Sequence, residues 1–191
     1  MKKKNFTLVE LLCAAGLVVI LAGIGFSAYS YASHRGKEAA TKSLIARIEA
    51  GLETLKNKHG FYPSSNGAYQ TVYFTINSST GIVTHAFFNG SSSGTSQLTE
   101  AQLKDFLAVV DAESLRQHLV LDSGTAYKLT DAWGGEIKYK YPGTINTIKF
   151  DIVAPGADER FGISSSSNPP TVISGYKNGD EWACDDIANF K

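Results

Sequence analysis

Glu10 is the only charged residue between Phe6 and Ala32. That stretch holds about 27 residues that can run as one helix, more than the roughly 20 needed to cross a bilayer. A carboxylate in such a helix costs on the order of 2.5–3.5 kcal/mol on insertion, so an intramembrane acid is read first as a functional group. The plainer alternative is an interfacial position from which the side chain reaches water. The functional reading requires a cation. Cleavage after Asn5 would create one, the new α-amine of Phe6, and in a stack of identical helices it could pair with Glu10 of a neighbour. Such a pair would neutralise both groups and fix the axial register between copies.

The other chemistry-bearing residues are dispersed. Asp158, Asp180, Glu181, Asp185 and Asp186 gather toward the C-terminus, where acids on a polar loop are ordinarily solvated. His34, His59, His85 and His118 lack ligand spacing, and His59 reads as a basic residue closing a helix. Cys13 and Cys184 lie too far apart for a bridge, and each reads as a small packing residue. No nucleophile elbow, phosphate-cradling loop, H-E-x-x-H or C-x-x-C pattern occurs, so an enzyme is not expected. Lys+Arg and Asp+Glu both number 18, which offers no basic excess to attract nucleic acid.

The 191 residues allow one domain of ordinary size plus an appendage. A secretory signal has a shorter apolar core followed by a small-residue cleavage site, whereas this run flows on through Tyr29 and Tyr31. Leu44, Ile45, Ile48, Leu52 and Leu55 then recur at spacings of three and four, one face of a helix running to about Lys58. Gly60 ends it and Pro63 forbids its continuation. One continuous helix from Phe6 to Lys58 is expected, its second half packed on a sheet. Ser64 to Gln97 reads as a variable loop with one short hairpin. Thr99 and Gln102 fit a capping box ahead of a short helix through Leu103, Phe106, Leu107 and Val110, with a second helical turn over Glu113–Leu121. Ile137, Tyr139 and Tyr141 alternate with polar residues, as do Ile148, Phe150 and Ile152, giving an antiparallel pair with one wet face. Trp133 before two glycines reads as a core anchor at a turn.

Several segments resemble one family. Lys-Lys-Lys-Asn-Phe-Thr-Leu-Val-Glu-Leu-Leu (2–12) is similar to the class III signal of type IV pilins and pseudopilins, with Asn5 where the family has Gly. Leu52–Pro63 resembles the end of the long helix in major pseudopilins. Thr130–Tyr139 resembles their D-P-W-G segment, Phe150–Asp158 their F-x-x-x-S-x-G-A-D, and Asp185–Phe190 their closing D-D-I-x-N-W with Phe190 in place of Trp. Ser64 to about Ser123 lies outside the resemblance, and 161–181 is longer than the loop it would replace.

The resemblance implies an α+β, pilin-like fold: a long N-terminal transmembrane helix packed on a small antiparallel sheet with a C-terminal acidic loop. It divides the chain into a leader over 1–5, a transmembrane and filament-core helix over 6–32, and a periplasmic domain over 33–191. That domain comprises the stem helix 33–58, the variable region 64–123, and the strands and C-terminal loop 130–191. It implies cleavage between Asn5 and Phe6 by a prepilin peptidase, methylation of Phe6, and assembly through Glu10. It also implies calcium held by Asp158, Asp185 and Asp186, and an N-in, single-pass location in a bacterial inner membrane. The implied partners are further copies of the chain in a helical filament, other pseudopilins, and an inner-membrane assembly platform. The implied function is that of a major pseudopilin of a type II secretion system, whose filament drives protein secretion. The alternatives are a type IV or minor pilin of an adhesive or DNA-uptake pilus and, from another class, a membrane-anchored periplasmic binding module or enzyme.

Overall fold

The computed structural model describes residues 8–92, 97–158, 161 and 187–189. The chain divides into two units, Met1–Lys37 and Glu38–Lys191. Helix α1 spans Leu8–His59. From Leu8 to Ala32 its composition is apolar all round apart from Glu10, and no described residue of the first unit is buried. Past Glu38 it becomes amphipathic, and Leu44, Ile45, Ile48, Leu52 and Leu55 are all buried. The helix closes as the sequence demands: Lys56, Lys58 and His59 fill its last turn, and Gly60 takes φ 81°, a left-handed stop that glycine adopts without a Cβ penalty.

The second unit is an α+β domain with two four-stranded antiparallel sheets. The strands are β1 (Gln70–Thr71), β2 (Tyr73–Ile76), β3 (Val83–Phe87), β4 (Leu119–Ser123), β5 (Ala126–Leu129), β6 (Lys138–Lys140), β7 (Asp151–Ala154) and β8 (Ile187–Ala188). One sheet has the order β1-β6-β7-β8 and the other β3-β2-β5-β4. Two helices, α2 (Glu100–Val110) and α3 (Ala112–Arg116), separate β3 from β4. The capping box at Thr99 and Gln102 forms with both reciprocal bonds. The stem face of α1 shares one core with Phe74, Phe88 and Phe106 and with Tyr139, Phe150 and Ile152.

Three sequence expectations are corrected. The second helical turn stops at Arg116; Leu119–Ser123 instead pairs with Ala126–Leu129 around Gly124, making the hairpin of a second sheet. The expected single small sheet is therefore two. The strand expected to bury Ile148 and wet Asp151 begins only at Asp151, leaving Ile148 89% exposed in the preceding loop and Asp151 buried. The reason is hydrogen bonding: the Asp151 carboxylate accepts from the distant Tyr69 hydroxyl and from the nearby backbone N–H groups of Thr144, Ile145 and Asn146. Four donors offset the burial of that charge.

Candidate functional site

Glu10 lies in the first turn of α1, where the positive end of the helix dipole favours a carboxylate. Around it, Leu8, Leu11, Leu12, Leu17, Ile20, Leu21 and Ile24 are all exposed by more than half. An apolar helix surface of this extent cannot remain in water; it requires lipid or other helices. Length and composition suffice to cross a membrane. Cys13 is an exposed free thiol on the same helix. Asn5 and Phe6, which the sequence puts at a processing site, lie outside the described residues.

The three acids expected to hold calcium are only partly described. Asp158 ends a short 3-10 turn, Gly156–Asp158, and its side chain is outside the description, as are Asp185 and Asp186. Among the described residues no cluster of three metal-ligating side chains occurs. The backbone does bring the flanks of this loop together. Ala154 pairs with Ile187 and Val153 with Ala188. Asn189 locks the join, its side-chain oxygen accepting from Ile152 N–H at 2.8 Å while its amide donates to Phe150 O. A stretch carrying Asp158, Asp185 and Asp186 is thus closed at its base, and three carboxylates are the oxygen donors calcium takes.

The D-x-W-G turn is a structural device that its sequence only half announced. Asp131 is 3% exposed. Its Oδ1 accepts from Trp133 N–H at 2.9 Å and Gly135 N–H at 2.8 Å, and its Oδ2 from Gly156 N–H at 3.1 Å. Burial pushes this carboxyl upward against the pull of those backbone donors. Next to it, Ala132 N–H donates to the Oγ1 of buried Thr41 on the stem helix. One acid therefore couples the turn after β5 to the start of the C-terminal loop, and the adjacent residue ties that turn to α1. The signal available was D-x-W-G itself, since an Asx turn followed by glycines is a recognisable bend. Trp133 is half-buried against the core, as an anchor at a turn should be.

Two smaller polar arrangements hold the stem. His59 Nε2 and Lys58 Nζ reach the carboxylate of Asp105 at 3.0 and 2.8 Å, fastening the end of α1 to α2. Glu136 receives Lys138, Thr71 and Lys128; burial alone would raise its carboxyl, but these donors outweigh it and hold it at about 2.

No family model matches the chain, and no curated protein or solved structure matches it.

Proposed function

We propose that this chain is a structural subunit of a membrane-rooted filament of the type IV pilin class, and within it a major pseudopilin of a type II secretion system. The observation that carries the reading is the contrast along α1. Its second half is built into a closed core, while its first half presents unpartnered apolar side chains at every angle. Packing of identical helices gives that surface a partner. Glu10 then sets register by pairing with the α-amine of a neighbour's Phe6, which makes the acid tolerable in an apolar environment. The motif match in the order leader, helix end, D-x-W-G, G-A-D and D-D-I supplies the finer assignment. The work of such a subunit is mechanical: filament growth from the inner membrane pushes secreted proteins outward, and no catalytic group is required of the domain.

Calcium fits the C-terminal loop by chemistry. Asp158, Asp185 and Asp186 would hold it on a stretch whose base β7 and β8 close. On the expectation that Cys13 and Cys184 form no bridge, it would staple that loop in place of a disulfide.

Intact mass of the protein recovered from membranes, with and without a prepilin peptidase, tests the reading. Loss of Met1–Asn5 together with one added methyl group, only when the peptidase is present, is the expected result. An unprocessed mass in both backgrounds would make the helix a static anchor and overturn it.

A further inference from the structure

The apolar run of α1 ends in a belt of aromatic and basic side chains. Counted from Leu8 to Ala28, the helix rises roughly 31 Å, close to the roughly 30 Å of a bilayer's hydrocarbon core. Tyr29 and Tyr31 follow, 73% and 65% exposed. Arg35 and Lys37 come next, both exposed, and the sequence has no acid between Glu10 and Glu38. Glu38 is met by Lys42 at 2.6 Å, so Arg35 and Lys37 leave this stretch with a surplus of positive charge.

Arg35 turns back along the helix toward the apolar run. Its Nε donates to the Tyr31 hydroxyl at 3.3 Å, and its guanidinium carbon lies 5.6 Å from the centroid of the same ring. The pair brings a cation and a phenol to one level, roughly 5 Å past the end of the hydrocarbon, which is the depth of the headgroup layer. At 3.6 residues per turn, Tyr29 and Tyr31 fall on opposite sides of the helix, as do Arg35 and Lys37. The belt therefore encircles the helix. A one-sided protein partner would meet part of it, whereas a membrane interface surrounds the helix and meets all of it.

We propose that Tyr29, Tyr31, Arg35 and Lys37 form an interfacial girdle that binds the headgroups of anionic phospholipids at the C-terminal end of the span. Charge and shape assign the ligand. The guanidinium presents a planar fork suited to phosphate oxygens, and Lys37 adds a second cation. The two phenols are amphipathic and lie between hydrocarbon and water. An anionic lipid offers these cations a net negative headgroup, whereas a zwitterionic one neutralises its own phosphate. The girdle fixes the depth at which a membrane-resident copy sits, separately from how copies pack. The inference rests on the membrane half of the filament reading and not on assembly.

Native mass spectrometry of the full chain, released from micelles holding equal phosphatidylglycerol and phosphatidylcholine, counts the lipids it retains. The expected result is retention of phosphatidylglycerol over phosphatidylcholine by about tenfold or more, falling to near parity when Arg35→Gln and Lys37→Gln are combined. Domain melting should not move in that double variant, because both side chains are exposed. Equal retention of the two lipids by wild type would overturn the inference. So would a double variant that keeps the wild-type preference, since the lipid would then be held by Lys2–Lys4 or by another surface. Alkaline extraction of membranes separates this claim from the one beneath it. Wild type that stays in the pellet but shows no lipid preference removes the girdle alone, whereas wild type released to the supernatant removes the membrane-rooted reading as well.

Discussion

The two units of this chain use the same residue types to opposite ends. In the second unit Leu52, Leu55 and Phe106 are wholly buried, and polar groups placed inside, such as Asp131 and Asp151, have backbone donors to meet them. In the first unit Leu21 is 67% and Phe26 76% exposed, and the helix has no core of its own. The described part of the domain has a closed core; the helix has an apolar surface of the kind that lipid or other helices cover. Under the proposed function, stability and assembly fall to separate stretches of a single helix, and this can be tested by changing one stretch and reading both properties.

The largest expected effect comes from Glu10→Val. This change removes about 2.5–3.5 kcal/mol of insertion cost, so the protein should enter membranes at least as well as before. Filament recovery should nonetheless fall by about a hundredfold, measured by quantifying sedimentable polymer, while the melting temperature of the domain stays put. Normal filament yield would remove Glu10 from the account. Gly51→Leu should do the reverse. A Cβ at Gly51 falls 2.7 Å from the Val110 side chain and 2.8 Å from Phe106, both fully buried and unable to give way. Overpacking there should destabilise the domain by about 3 kcal/mol, read by thermal melting, without altering membrane insertion.

Asp131→Ala comes next. It strips acceptors from the N–H groups of Trp133, Gly135 and Gly156, at about 1–3 kcal/mol, and should loosen the start of the C-terminal loop to proteolysis before the rest of the domain. The smallest effect is the acid limb of stability. Glu136 titrates at about 2 in the folded domain against 4.5 for an ordinary glutamate. A depressed carboxyl stabilises the fold above its unfolded value and loses that contribution as pH falls. Melting of wild type should therefore drop between about pH 4.5 and pH 2 more than that of Glu136→Gln; parallel curves would remove the ion cluster from the account.

The sequence made the first unit and the stem legible because both rest on strong one-dimensional signals. A long apolar run with a single charge and a repeating 44, 45, 48, 52, 55 face survive any tertiary context. The capping box was equally plain, being local chemistry over four residues. What escaped was decided by distant partners. Leu119–Ser123 continued a helical pattern and became an edge strand only because Ala126–Leu129 pairs with it, and Ser123-Gly124 was the turn signal that could have revealed the hairpin. Ile148 and Asp151 obeyed a two-residue alternation over too short a run. Tyr69, 82 positions away, supplies one of the donors that drew Asp151 inside. Of the candidate site, Glu10 is conspicuous as a lone acid in an apolar run and its role stands as a proposal, whereas the role of Asp131 depended on Gly156, a residue in another segment.

The most direct test is electron microscopy of sheared membrane preparations from cells producing the full chain, with antibody to the domain. Filaments labelled along their length, abundant for wild type and scarce for Glu10→Val at equal membrane content, are the predicted result. Protein confined to the membrane as unassembled single-pass species in both cases would contradict the assignment of the apolar helix to assembly.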